Sequence, residues 1–221
     1  MSTPVVAVIN ASAATMSPVS SAFAEGFPSA DVWHLLDDRL VRDAERQGGL
    51  TGPLRERMTS LIGYAVDAGA DAVQLACSMY GPVAGAVSHP VPVLASDQAM
   101  FDEVGRLGVS RVTVLASLEP AAKDSRERLR AKLTASGLDT TVATVVVAAA
   151  KEASDAGDME RLGRVLADAA RALDDTDVVV LAQYSLAPVV AQVADAVGVP
   201  VLSGPHLAAA TLAALLGADH R

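Results

Sequence analysis

The chain has 221 residues, 51% of them hydrophobic but only 3% aromatic, and carries a formal net charge of −9. That length suits one large domain or two small ones, and the acidic balance excludes nucleic acid and anionic membrane as expected partners. A single cysteine, Cys77, excludes an internal disulfide and fits a reducing cytoplasm.

No apolar run approaches the roughly 18 residues of a membrane span. The longest, VATVVVAAA at 142–150, stops at Lys151. The opening MSTPVVAVIN has no basic segment ahead of its apolar run, so no signal peptide is expected.

In chain order, PVVAVI (4–9) predicts a first strand. Ser17 and Pro18 read as the N-cap and first-turn proline of a helix that Gly26 closes. DVWHLL (31–36) predicts a second strand. Thr51 reads as the cap of a helix in which Leu54, Met58, Leu61, Ile62, Ala65 and Val66 keep helical spacing and Gly69 is the stop. DAVQLA (71–76) and VPVLA (91–95) predict two more strands, and Ser96 precedes a helix from Asp97 to Leu107. The order then restarts with RVTVLA (111–116), a charged helix from Pro120 to near Gly137, TTVATVVV (140–147), and an amphipathic helix from Asp158 to Leu173. It closes with DVVVLA (177–182), VPVL (199–202) and a helix from Gly204. The strands show little alternation, as expected of strands buried on both faces.

Strand-helix alternation of this kind predicts an α/β fold with parallel sheets flanked by helices. Residues 4–95 and 111–202 each supply four strands, and the two sets end in matching phrases, VPVLAS (91–96) and VPVLSG (199–204). The expectation is a duplicated unit with two pseudo-symmetric lobes, each holding a four-stranded parallel sheet. Lobe one takes residues 1–97 plus 204–221, the last helix crossing back to it, and lobe two takes 98–203.

Ligands of open parallel sheets bind beyond the carboxyl ends of the strands, where helix N-termini favour anions. Cys77 stands at such a turn, in DAVQLACSMYGPV (71–83), and a helix dipole there would favour its thiolate. The alternative is a buried structural cysteine. DVVVLAQYSLAPV (177–189) has the same shape, with Gln183 at the matching place.

LACSM at 75–79, the first strand ending in IN at 9–10, the duplicated lobes and LAQYSLAP at 181–188 together resemble the aspartate/glutamate/hydantoin racemase superfamily over essentially the whole chain. That resemblance implies two lobes with the active site in the cleft between them, no metal and no cofactor. It also implies proton transfer at a carbon next to a carboxylate of a small acid or amino acid. Members use a pair of cysteines, one from each lobe. Cys77 matches the first, and Gln183 holds the place of the second. An amide does not titrate usefully, so a one-thiol decarboxylase or lyase resembling arylmalonate decarboxylase is an alternative. In that enzyme the thiol corresponds to the second lobe's position. A non-catalytic protein that binds a small anion is a further alternative, and a homo-oligomer is left open.

The resemblance also points to Asn10 and Ser12 as binders of the substrate carboxylate, the alternative being a loop that caps the next helix. It gives Ser117 a carboxylate or enediolate to bind, a task that Ser78 and Ser185 could share. Tyr184 is either a donor or a packing residue. Asp37 and Asp38 are either solvated or, for Asp37, a partner for a substrate ammonium or a proton transfer. His206 lies after the last strand, near the expected cleft. His34 reads as a core histidine, and His89 and His220 as surface residues. No His, Cys and Asp cluster has metal-ligand spacing, and there is no glycine-rich phosphate loop.

Overall fold

The computed structural model describes residues 3–86 and 88–218. In chain order it runs β1 (Val5–Asn10), α1 (Met16–Gly26), β2 (Asp31–Leu36), α2 (Leu40–Arg46), α3 (Gly52–Asp67), β3 (Ala72–Leu75), α4 (Gly81–Ala84) and β4 (Val93–Leu94). It continues with α5 (Gln98–Leu107), β5 (Arg111–Ala116), α6 (Glu119–Ala135), β6 (Thr141–Val146), α7 (Ala148–Asp155) and α8 (Met159–Arg171). It ends with β7 (Val178–Leu181), α9 (Val190–Ala194), β8 (Val201–Ser203) and α10 (Gly204–Ala218). Short 3-10 turns cover Ala13–Thr15, Ser78–Tyr80 and Tyr184–Val189.

The strands form two four-stranded sheets, β2-β1-β3-β4 and β6-β5-β7-β8. Every pairing is parallel. Contacts divide the chain into two units, one reaching Ala99 and resuming at Pro205, the other running Met100–Gly204.

In the first unit β1 lies between β2 and β3, so the chain leaves β1 to one side and crosses over to the other. The second unit repeats this with β5 between β6 and β7. The loops after the first and third strands of each unit therefore diverge at a switch point, where such sheets hold ligands.

The matching hydrogen bonds of the two units establish which residues are equivalent. Ala76 N–H donates to Ile9 C=O at 2.9 Å, and Ala182 N–H to Leu115 C=O at 2.9 Å. Val73 N–H donates to Pro92 C=O, and Val179 N–H to Pro200 C=O, each at 2.9 Å. Cys77 and Gln183 are thus the same position of the repeat, as are Ala11 and Ser117.

The aspartate ahead of each third strand has a structural reason. The Asp71 carboxylate accepts the Val5 N–H at 2.8 Å. The Asp177 carboxylate accepts the N–H groups of Ser110 at 3.1 Å and Arg111 at 2.9 Å. Each ties the start of its third strand to the start of its first, at the end of the sheet away from the switch point.

The cores are small and aliphatic. In the first unit Ala7, Ile9, Val73 and Leu75 pack with Leu54, Met58 and Ile62 of α3. In the second, Leu115, Val179 and Leu181 pack with Leu162 and Leu166 of α8. Burial of each Val, Leu or Ile contributes roughly 1.5–3 kcal/mol. The central strands β1, β3, β5 and β7 are buried on both faces, as their continuous apolar runs imply. The outer strands β2 and β6 are not, because each has a neighbour on only one side.

Helix ends differ in detail from the expectation. The loop after β1 makes a 3-10 turn capped by Ser12, whose hydroxyl accepts the Ala14 N–H at 3.3 Å. It runs straight into α1, so Ser17 lies inside the helix and caps nothing. Thr51 occupies the N-cap of α3 but spends its hydroxyl on Gln47 Oε1 at 2.6 Å. Gly69 and Gly137 follow α3 and α6 with φ of +94° and +74°, the left-handed stop that glycine allows. Gly26 ends α1 for another reason. A Cβ there would lie 3.2 Å from Ala209 Cβ, where α10 packs closely on α1.

Among the described residues no helix is long and apolar enough to cross a membrane.

The carboxylate ties predict a specific stability loss. Asp177→Ala leaves two backbone N–H groups without their acceptor and removes a partner of the Arg111 guanidinium. It should lower unfolding stability by about 1–3 kcal/mol, read from the urea midpoint. Asp177→Asn, which keeps an oxygen acceptor, should lose less.

Candidate active site

The turn after β3 begins at Cys77, which is in extended conformation (φ −148°, ψ 117°) and half-buried. Its carbonyl accepts the Tyr80 N–H at 3.2 Å. Tyr80 is fully buried, and its hydroxyl donates to Leu40 C=O at 2.9 Å, fastening the turn to α2. Burial holds the Tyr80 phenol above its usual range, and the nearby Cys77, as thiolate, pushes the same way. The helix that follows is only the turn Ser78–Tyr80 and the four-residue α4. The helix dipole expected behind Cys77 is therefore that of a very short segment.

The loop after β1 is held by Asn10, which is fully buried. Its Nδ2 donates to Val8 C=O at 2.9 Å and Leu35 C=O at 3.3 Å and faces His34 Nδ1 at 3.1 Å. Its Oδ1 accepts the Thr15 hydroxyl at 2.9 Å. The expected carboxylate ligand is thus committed to shaping its own turn. Ser12, two residues on, is exposed.

His34 is half-buried on an outer strand, not in the core. Because Asn10 can only donate to Nδ1, the hydrogen of the neutral ring belongs on Nε2, which meets Ser20 Oγ at 2.8 Å.

Asp37 is not a solvated loop carboxylate but half-buried and paired. Its two oxygens each lie 2.6 Å from Arg57 Nη2, and Oδ1 also accepts the Arg39 N–H at 3.2 Å. Arg57 reaches Asp43 at 2.9 Å as well. Partial burial alone would lower the Arg57 pKa, but its hydrogen bonds and charge pairing with Asp43 and Asp37 raise it. Asp38 is exposed.

In the second unit Ser117 is buried, and both its N–H and its hydroxyl donate to Gln183 Oε1, at 2.8 and 3.0 Å. A main-chain N–H can bond only to the amide oxygen, which settles the orientation of the carboxamide. Gln183 is half-buried at the head of the next turn, and its C=O accepts the Leu186 N–H at 3.0 Å. Tyr184 begins that turn and is 9% exposed, while Ser78 and Ser185 are half-buried.

His206 belongs to α10 and lies 3.5 Å from Glu25 of α1, within the first unit. His89 is half-buried, and His220 lies outside the described residues.

In the first unit the structure gathers Asn10, His34, Asp37, Cys77 and Ser78 at the carboxyl end of the sheet. In the second it gathers Ser117, Gln183, Tyr184 and Ser185. Sequence reading missed Arg57, Tyr80 and the partnership of His34 with Asn10, because nothing local in the chain marks these long-range pairs. It also passed over Asp97 as a site candidate, a buried carboxylate (7% exposed) three residues after β4. The repeated VPVL phrase was the available signal, since it marks Asp97 as lying at the same sheet edge as Cys77. Among the described residues no group of three or more His, Cys, Asp or Glu side chains could hold a metal ion.

The matching parallel sheets β2-β1-β3-β4 and β6-β5-β7-β8, with polar turns at their switch points, define a duplicated α/β protein. The Asp/Glu/hydantoin racemase family model matches residues 6–212, and the chain belongs to that family.

Solved structures agree on the fold. Allantoin racemase from Klebsiella pneumoniae superimposes with a TM-score of 0.68 at 17% identity, over 98% of this chain and 89% of that one. Picrophilus torridus aspartate racemase gives 0.73 at 12%, over 97% and 94%. An arylmalonate decarboxylase gives 0.63 at 21%, over 96% and 92%. A search of curated proteins by sequence finds no match.

The His34 arrangement predicts a pH dependence. Burial lowers the His34 pKa from 6.5. Stability from this group is complete above that value and is lost as pH falls, because the unfolded chain takes the proton first. The urea midpoint should drop between pH 7 and pH 5, and His34→Gln should flatten that drop.

Proposed function

We propose that the protein is a cofactor-independent enzyme that moves a proton at a carbon next to the carboxylate of a small acid or amino acid, with Cys77 as its acid-base group. The observation that carries this reading is the position of the only cysteine. It stands half-buried at the switch-point turn of the first unit, where the resemblance puts the family's first thiol.

The Cys77 thiolate takes the proton from the carbon, leaving an enediolate and a neutral thiol, and the thiol returns the proton to the same face. The chain has no second cysteine to serve the other face, and an amide in place of a thiol does not titrate usefully. Exchange is therefore one-sided, since a fixed side chain reaches one face of a planar enediolate.

The single cysteine also favours a second reading, a one-base decarboxylation. There the carbon–carbon bond to one carboxylate breaks and CO₂ leaves. The electron pair stays on the carbon as an enediolate, which Cys77 protonates on one face before the thiolate recovers a proton from water.

The test is turnover in deuterated water with aspartate, glutamate and phenylmalonate. Deuterium should enter with one configuration, or phenylmalonate should yield one enantiomer of phenylacetate monodeuterated at its α-carbon. Cys77→Ala should abolish either reaction at little cost to the fold, on the order of 1 kcal/mol. Cys77-dependent loss of optical rotation from a single enantiomer would show a second proton donor and sink the one-base mechanism. Full activity in Cys77→Ala would remove the thiol from the reaction. Gln183→Cys should add slow racemisation.

A further inference from the structure

Equivalent positions of the two units carry different side chains and different hydrogen bonds. Extending the β1–β3 register beyond Ile9 and Leu75 sets Ala11 beside Cys77. Extending the β5–β7 register beyond Leu115 and Leu181 sets Ser117 beside Gln183. Ala11 has no polar group to restrain its neighbour. Ser117 has a hydroxyl, and with its own N–H it grips the amide oxygen of Gln183 twice.

The grip has a chemical consequence. With Oε1 turned to Ser117, the donor end of the carboxamide is the end presented elsewhere, and Nε2 makes no hydrogen bond among the described residues. Two hydrogen bonds to the oxygen polarise the amide and strengthen its N–H groups as donors. A neutral, aimed pair of N–H groups at a switch point suits an anionic oxygen.

We propose that Gln183 is a fixed hydrogen-bond donor to a carboxylate or enediolate oxygen of the bound substrate, with Ser117 as the positioning residue that aims it. This rests on the reading of the chain as an enzyme of small carboxylates. It reassigns Ser117, whose hydrogens are spent on Gln183, from contacting the substrate to orienting the group that does. Where other members have a second thiol, this chain has a binding group.

The side-chain NH₂ signals of ¹⁵N-glutamine-labelled protein test it without relying on activity. The sequence has five glutamines, at 47, 74, 98, 183 and 192, so Gln183→Ala identifies the Gln183 signal by its loss. Titration with malonate, aspartate and phenylmalonate should move that signal, while neutral hydantoin should move it less. Gln183→Ala should weaken binding about tenfold, the worth of one hydrogen bond to a charged oxygen. Gln183→Glu should weaken it further, because its second oxygen would face the anion. Ser117→Ala removes one of the two bonds that hold the amide. It should shift the free Gln183 signal, weaken binding by less than Gln183→Ala, and add nothing to that variant in the double substitution. Ser117→Thr should restore both signal and affinity.

A Gln183 signal unmoved by every carboxylate overturns the proposal, as does unchanged binding in both Gln183→Glu and Ser117→Ala. A response to malonate that persists in Cys77→Ala, with no turnover of any substrate by the unmodified protein, would sink the proton-transfer reading and leave this one standing. Cys77-dependent turnover with an unmoved Gln183 would do the reverse.

Discussion

Each unit is built on a central strand that must satisfy neighbours on both sides. β1 pairs with β2 and β3, and β5 with β6 and β7. Parallel pairing demands crossovers, and right-handed crossovers send the chain over opposite faces of the sheet on either side of the central strand. The ends of the first and third strands are then left side by side without a helix closing over them. The candidate site residues Cys77, Ser117 and Gln183 lie at those ends, and the aspartates that tie the strand starts together lie at the other.

The two units use one backbone and distribute polar groups differently. In the first, a buried asparagine organises the loop after β1. Burying an amide is costly unless its donors and acceptor are met, and Asn10 meets them with Val8, Leu35 and Thr15. The equivalent of Asn10 in the second unit is Ala116, and the polar group has moved one place on, to Ser117. That single step redirects the hydrogen bonding from the loop to the neighbouring turn. It is the physical reason that the side chain after β7 is restrained by its neighbour's hydroxyl, while Cys77 faces an alanine.

Near Cys77, Arg57 bridges two carboxylates, Asp37 and Asp43, so its single positive charge is shared between them.

Much of this was legible in the chain. Unbroken valine runs require strands buried on both faces, and four of the eight are so buried. The repeated Asp-plus-apolar phrase and the repeated VPVL phrase marked the duplication, because equivalent positions in a repeated sheet meet the same packing demands. Cys77 and Gln183 could be matched by counting along those phrases. What counting could not supply was direction. Asn10 points inward to His34 and Leu35, Asp37 is taken by Arg57 twenty residues away, and Ser117 turns both its donors on Gln183. Those partners come from different strands and helices. A polar residue at a strand end reads the same in sequence whether it faces a ligand or a neighbour, and only the tertiary structure decides which, because the hydrogen-bond partner that claims it is distant in the chain.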